Sequence, residues 1–108
     1  MTSVIIPVFN GQAYLGEAIE SVLAQDIELA IVVVDDGSTD QTGDLVRAFE
    51  DGFLRYVQQE RMGTAAARNR GASLAQGDLI AFLDADDVWL ANKLRRQITS
   101  LERRRASH

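Results

Sequence analysis

The sequence predicts an α/β fold, a mostly parallel sheet with helices on both faces. Three short apolar runs rich in β-branched residues, at 3–9, 29–34 and 78–83, indicate strands. These runs are continuously apolar rather than alternating, which is typical of parallel strands that are buried on both faces. Helical patterns lie between the runs. Right-handed crossovers would therefore place the helices on both sides of the sheet.

Each segment that connects the strands has a pattern of its own. At 14–23, apolar residues recur at the spacing of one helix face. A second helix is predicted to start near Ser38, because Ser38 and Gln41 have the spacing of a capping box. The stretch 53–58 indicates a weaker strand, and the alanine-rich 64–75 a third helix. A fourth helix is indicated by apolar residues near the end of the chain: Leu94, Ile98 and Leu101.

Length and composition indicate one soluble domain over 1–108. Hydrophobic residues make up 46% and charged residues 25% of the 108, which is ordinary for a folded chain. No run approaches the ~18 apolar residues of a membrane-spanning helix. The lack of cysteine excludes disulfides, zinc–thiolate sites and thiol nucleophiles, and it is compatible with a cytoplasmic location.

The charge distribution limits the classes of partner. A net charge of −5 argues against nucleic-acid binding, which needs a basic face. Basic residues are concentrated at 93–105, where a solvated helix face is the favoured interpretation. A peripheral contact of this segment with an anionic membrane surface or an acidic partner is the alternative.

Three carboxylates follow the last predicted strand: Asp84, Asp86 and Asp87. At an effective dielectric of about 20, two carboxylates about 4 Å apart repel by roughly 4 kcal/mol, so the cluster must be solvated, protonated or neutralised. In an extended segment Asp84 and Asp86 would share one face, while Ala85 would turn away. Magnesium and manganese bind through one or two carboxylates plus substrate phosphates. A solvated turn with an aspartate as helix cap is the alternative.

A second acidic pair, Asp35 and Asp36, ends the second strand. Turn and capping chemistry accounts for Gly37, Ser38 and Asp40 but does not require both aspartates. One of the two, aimed into the crevice beyond the strand, could accept a hydrogen bond from a nucleobase N–H. Ligands of such sheets bind beyond the carboxyl ends of the strands.

The start of the third helix combines glycines and arginines. Gly63 gives a flexible lead-in and Thr64 a cap, and Arg68 and Arg70 lie in the opening turns, where arginine can contact phosphate. An exposed helix with solvated arginines is the alternative. Gly71 costs about 1 kcal/mol relative to alanine inside a helix, which indicates close packing or close approach of a ligand.

Four segments in this order, SVIIPVFN, VVVDDGSTD, GTAAARNRG and FLDADD, together resemble the nucleotide-binding half of the family 2 inverting glycosyltransferases. The resemblance extends from residue 3 to about residue 98. It implies a Rossmann-like three-layer sandwich with a mostly parallel sheet, the nucleotide-diphospho-sugar transferase fold in truncated form. It also implies a role in polysaccharide or cell-envelope biosynthesis.

The resemblance assigns the nucleobase to the first two strand ends. Pro7, Val8 and Phe9 would line the base site, with Phe9 stacking on the base. Asp36 would bind the base, commonly uracil. The donor implied is a nucleotide-diphospho-sugar, UDP-linked by this reasoning.

The same resemblance assigns the rest of the donor to the third helix and the last strand end. Arg68 would help to hold the nucleotide and Asp84 would contact the ribose. Asp86 would coordinate Mn²⁺ or Mg²⁺ bridging the diphosphate, which stabilises the leaving nucleoside diphosphate.

Two departures from the family pattern concern the last part of the chain. Members often carry proline where this sequence has Ala91, which affects only the start of the last helix. The family's acceptor site and its general base lie beyond the acidic cluster, so the chain is expected to lack the C-terminal acceptor half and any catalytic residue. The acceptor, whether sugar, lipid or protein, is left open, and an exposed sheet edge would favour self-association.

Two other classes of function are compatible with aspartates at strand ends. A magnesium-dependent phosphoryl-transfer domain usually adds a lysine on a later strand, whereas the sole lysine here, Lys93, lies in the predicted final helix. A non-catalytic module that binds a nucleotide or a partner is the second alternative. Donor hydrolysis or transfer separates that module from an enzyme.

Overall fold

A computed structural model describes residues 1–25, 27–49, 52–77 and 79–89. Strands and helices alternate along these residues, as the sequence predicts. The strands are β1 (Thr2–Val8), β2 (Leu29–Asp36), β3 (Leu54–Gln59) and β4 (Leu79–Phe82), and the helices are α1 (Leu15–Leu23), α2 (Thr42–Arg47) and α3 (Thr64–Leu74). The predicted fourth helix lies outside the described residues.

The four strands form one parallel sheet in the order β3-β2-β1-β4. The chain therefore moves outward from β1 to β3 on one side and then crosses to place β4 on the other side of β1. Ligands of open α/β sheets bind where the strand order reverses, beyond the carboxyl ends of the strands. In this sheet that point is the carboxyl end of β1.

The core has two halves, because successive strand residues point to opposite faces. Val4, Ile6 and Val8 of β1 pack with α1 and α2 on one face. Ile5 packs on the other face with Ala67 of α3. Helices thus cover both faces of the described sheet, and the predicted three-layer α/β architecture is confirmed.

One helix starts later than the sequence predicts, and another has a different cap residue. The prediction that α2 starts near Ser38 is wrong: α2 starts at Thr42, and Asp40 Oδ1 accepts the N–H of Thr42 at 2.9 Å. The reason is that the Ser38 hydroxyl is engaged elsewhere, by the N–H of Asn10 at 2.8 Å. Thr64, expected as a cap, is the first residue of α3, and Gly63 precedes it with φ of 100°.

The edge strand β4 presents apolar side chains, Ile80 and Phe82, which are both nearly half exposed. Both lie on the face of the sheet that carries α3, as the register of β4 with β1 shows. No helix in the described ranges is long and apolar enough to cross a membrane.

Gly71 lets α3 lie directly on the sheet. A Cβ at this position would overlap the side chain of Ile5 and come within 3.2 Å of Val34 Cγ2. Close packing, rather than ligand approach, therefore accounts for a glycine in the middle of this helix.

We predict that Gly71→Ala destabilises the protein by about 1–2 kcal/mol, because overpacking outweighs the gain in helix propensity. Urea unfolding followed by circular dichroism measures the effect. Gly52→Ala is the matched control, since a Cβ there meets nothing within 4 Å. Equal stability of the two variants would contradict the packing role of Gly71.

Candidate functional site

The side chains singled out by the sequence gather at the carboxyl edge of the sheet. Phe9 follows β1, Asp36 ends β2, and Asp84 lies two residues after β4. Arg68 reaches the same edge from α3. The structure thus brings groups from three strand ends and one helix to the point where the strand order reverses.

Side-chain hydrogen bonds hold the loop after β1 against the loop after β2. Asn10 adopts a left-handed backbone with φ of 52°, and its Oδ1 accepts the N–H of Thr39 at 2.8 Å and that of Asp40 at 3.3 Å. The N–H of Gly11 donates to Thr42 Oγ1 at 2.9 Å. These contacts fix the relative position of the first two strand ends. Sequence reasoning assigned no role to Asn10: asparagine tolerates this backbone, but its partners are far along the chain.

The two aspartates at the end of β2 have different environments. Asp35 faces its own turn and the neighbouring strand: it accepts the N–H of Ser38 at 2.9 Å and the hydroxyl of Tyr56. Burial, together with the hydrogen bond and negative charge of Asp35, raises the pKa of Tyr56 to about 12. The phenol is therefore a permanent donor at neutral pH, and Asp35 stabilises the turn.

Asp36 organises the loop between β3 and α3. Its carboxylate is only 4% exposed, and Oδ1 accepts from Gln59 Nε2 at 2.9 Å and from the N–H of Met62 at 2.8 Å. Oδ2 accepts from the N–H of Gly63 at 2.9 Å. An ionised carboxylate offers about four acceptor sites. The described donors fill three of them, two on Oδ1 and one on Oδ2, so Oδ2 retains the capacity to accept one more hydrogen bond.

These donors keep Asp36 ionised. Burial by itself would raise the pKa of the carboxyl group, but the hydrogen bonds from Met62, Gln59 and Gly63 and the charge of Arg61 together lower it below 3.8. The hydrogen bonds to the charged form outweigh the cost of desolvation.

The base site predicted at the end of β1 is only partly accessible to a ligand. Pro7 and Val8 are buried within β1, and the Val8 side chain belongs to the core next to α1, so their side chains face protein. Phe9 is 38% exposed, but the guanidinium carbon of Arg61 lies 3.3 Å from the centroid of its ring. No pattern in the sequence indicates this contact, because Arg61 approaches Phe9 through the β3–α3 loop.

Arg68 and Asp84, predicted at one ligand, contact each other. Arg68 Nη2 lies 2.9 Å from Asp84 Oδ1, and both side chains are about half exposed. An ion pair this exposed stabilises the fold by about 0.2–1 kcal/mol, so a ligand can compete for either partner at small cost. Arg70, by contrast, donates to the carbonyl of Gln58 at 3.0 Å and holds α3 to β3.

The acidic segment after β4 is a turn rather than an extended strand. The N–H of Asp87 donates to the carbonyl of Asp84 at 2.9 Å, while Ala85 turns into the core. The carboxylates of Asp84, Asp86 and Asp87 are exposed. Within the described residues no three acidic or histidine side chains form a metal cage. Mg²⁺ and Mn²⁺ retain water and substrate phosphates in their coordination shell, so Asp86 and its neighbours fit such an ion only together with a phosphate ligand.

We predict that Asp36→Asn destabilises the protein by about 2 kcal/mol, because the amide loses the charge-assisted bonds and turns a donor towards backbone N–H groups. Urea unfolding measures the loss. Asp44→Asn makes the same chemical change in an exposed pair with Arg47 and is expected to cost at most about 0.5 kcal/mol. Equal losses in the two variants would contradict an organising role for Asp36.

Protonation of Asp36 in acid should remove the stabilisation that its ionised carboxylate gives to the fold. The pKa of Asp36 is lower in the folded chain than its ordinary value of 3.8, so its stabilisation is complete above that value and is lost as the pH falls through the folded pKa. We expect the free energy of unfolding to drop below about pH 4, and to drop less in Asp36→Asn. Parallel pH profiles for the two proteins would contradict this assignment.

Comparison with known proteins identifies the family. The Glycosyl transferase family 2 profile matches residues 3–108. A glycosyltransferase of Nostoc sp. named alr2836, itself uncharacterized, is 46% identical over 100 residues, which cover 87% of this chain and 30% of the relative. The Escherichia coli enzyme named UDP-Glc:alpha-D-GlcNAc-diphosphoundecaprenol beta-1,3-glucosyltransferase WfgD is 39% identical over 94% of this chain and 41% of its own length. The chain thus spans well under half of these relatives.

Solved structures have the same fold. TarS 1-349 of S. aureus, in complex with UDP-GlcNAc, superposes with a TM-score of 0.81 and 31% identity over 92% of this chain and 30% of its own. The mannosyltransferase PcManGT of Pyrobaculum calidifontis, in complex with GDP-Man and Mn²⁺, gives 0.78 and 33% over 84% of this chain and 29% of its own. The predicted Rossmann-like fold is therefore confirmed, and the chain belongs to glycosyltransferase family 2.

Proposed function

We propose that this chain is the donor-binding part of a glycosyltransferase that transfers a sugar from a UDP-linked donor to a sugar, lipid or protein acceptor. One observation carries the proposal: the edge where the strand order reverses presents an aromatic ring, a carboxylate with one open acceptor site and an exposed acidic turn. These groups are complementary to the parts of a nucleotide donor: the ring to a base, the carboxylate to an N–H of that base, and the acidic turn to a cation bound to the diphosphate.

The acceptor site left on Asp36 favours uracil. A carboxylate that already accepts three hydrogen bonds can take one more N–H, and uracil presents a single N–H, at N3. Cytosine has no hydrogen at N3, so in the pose of uracil its N3 lone pair would face the carboxylate, and its N4 amino group could donate only from a shifted pose. Guanine presents adjacent N–H groups that require two acceptors. The base would at the same time contact the ring of Phe9.

The diphosphate would lie between Arg68 and the acidic turn. Arg68 is a suitable phosphate ligand, since its present partner, Asp84, is half exposed and easily exchanged. Asp84, once released, would face the ribose hydroxyls. Asp86 would hold Mn²⁺ or Mg²⁺, which supplies Lewis-acid stabilisation of the leaving nucleoside diphosphate.

This chain would bind the donor and stabilise the leaving group. None of its residues is assigned as the general base for the acceptor hydroxyl. The E. coli relative is named for transfer from UDP-Glc to a diphosphoundecaprenol-linked sugar. The TarS structure contains UDP-GlcNAc, and the PcManGT structure contains Mn²⁺. The first two names support a UDP-linked donor and the first a lipid-linked acceptor, whereas the PcManGT structure supports a divalent cation with a GDP-linked donor.

We predict that Mn²⁺ strengthens the binding of UDP and that Asp86→Asn weakens the Mn²⁺-dependent binding at least about tenfold, because it removes a ligand charge. Calorimetric titration with and without Mn²⁺ measures both effects. Asp44→Asn, on α2, is the control and should bind as the wild type does. Binding that ignores the metal, or survives unchanged in Asp86→Asn, would contradict the assignment of Asp86.

We also predict that UDP binds about tenfold or more tightly than CDP, because an unmatched buried polar group costs about 1–3 kcal/mol. The two nucleotides have the same size and charge, so the comparison isolates the edge of the base. GDP is the second competitor, because its guanine presents adjacent N–H groups that the single acceptor site of Asp36 cannot satisfy. Equal affinity for UDP and CDP would show that Asp36 does not read the base.

A further inference from the structure

Arg61 lies flat against the ring on which a base would stack. Its guanidinium carbon is 3.3 Å from the centroid of the Phe9 ring. Carbon atoms in van der Waals contact are about 3.5–4.0 Å apart, so nothing fits between the two groups. One face of Phe9 is therefore occupied by the chain itself.

The path of the loop brings Arg61 close to Asp36 as well as to Phe9. The backbone of Arg61 packs against Gly37, where a Cβ would come within 3.0 Å of the Arg61 nitrogen. The next residue, Met62, donates its N–H to Asp36. Arg61 thus reaches Phe9 from the end of β2, and its charge lies near enough to Asp36 to lower the pKa of that carboxyl group.

The guanidinium of Arg61 neighbours both Phe9 and Asp36, so a base that contacts both groups competes with it for the same space. A planar base inserted between Phe9 and Arg61 would need a separation of roughly 7 Å, which is two van der Waals contacts. The observed separation is 3.3 Å. The arginine and the base therefore exclude each other at this position.

The guanidinium can leave at small cost. Arg61 is exposed, and in the described ranges it forms no direct ion pair, so its charge acts on Asp36 only at longer range. Its stacking contact is of the exposed cation–π type, which is weak. Movement of the side chain would leave the bonds from Met62 and Gly63 to Asp36 in place, because those are made by the backbone.

We propose that Arg61 sets the affinity for the donor nucleotide: it occupies the nucleobase position in the free chain and leaves Phe9 when the base binds. The inference rests on the proposed function, since it assumes that the base stacks on Phe9. Arg61 acts as an intramolecular competitor, so removing its side chain should tighten the binding of a nucleotide.

Calorimetric titration of wild type, Arg61→Ala and Arg55→Ala with UDP and Mn²⁺ tests this. Loss of an exposed cation–π contact corresponds to about two- to fivefold in affinity, so Arg61→Ala should bind UDP about two- to fivefold more tightly. Arg55 is exposed on β3 and pairs with Val32, away from the carboxyl edge of the sheet. Its replacement makes the same change in charge and should leave the affinity for UDP unchanged. Inorganic pyrophosphate with Mn²⁺ has no base and should bind all three proteins equally.

A second readout follows Arg61 in the wild type. The Nε–H resonance of Arg61 in ¹H–¹⁵N spectra should be shifted by the ring current of Phe9 in the free chain, and this shift should disappear at saturation with UDP and Mn²⁺. It tests the movement even if Arg61→Ala fails to fold.

The outcomes separate this inference from the function on which it rests. If no protein binds UDP, the proposed function fails and the inference fails with it. If UDP binds the wild type but Arg61→Ala binds it equally or more weakly, or if the ring-current shift persists in the complex, only the inference is overturned. Equal tightening for pyrophosphate would also overturn it, because the effect would then be independent of the base.

Discussion

The carboxylate of Asp36 is the constraint on which the rest of the site depends. It is buried at the end of a central strand, where an ionised group is stable only with hydrogen-bond partners. Its partners are Gln59, Met62 and Gly63, so satisfying one charge fixes the whole connection from β3 to α3. That connection determines where α3 starts, and hence where Arg61 and Arg68 lie.

The same reasoning explains how an acidic edge is tolerated at the carboxyl ends of the strands. The two aspartates at the end of β2 accept hydrogen bonds from backbone N–H groups and from Tyr56, while those after β4 stay in solvent. Asp84 is in addition paired with Arg68. Charges that must stay fixed are thus buried with donors, and charges that would meet a diphosphate and a cation are exposed and easily rearranged.

The sequence predicts the order of strands and helices well, because apolar runs and helical spacing are local patterns that can be recognised within one segment of the chain. Helix starts were less predictable. Ser38 has the sequence spacing of a cap but is engaged by Asn10, 28 residues away, and local spacing contains no information about such a partner. Residue types alone could not separate Asp35 from Asp36, since the two point to opposite faces of β2 and the choice depends on which face the β3–α3 loop approaches; only the family resemblance singled out Asp36. Arg61 was missed for the same reason: its contact with Phe9 depends on a loop whose path Asp36 sets.

The decisive measurement is a crystal structure of the chain with UDP and Mn²⁺, because it shows the base, the carboxylate and the arginine together. We expect N3 of uracil at hydrogen-bond distance from Asp36 Oδ2, the base on the ring of Phe9, and the bonds from Met62 and Gly63 to Asp36 intact. A base bound away from Asp36, or an Asp36 carboxylate released from the loop, would contradict it.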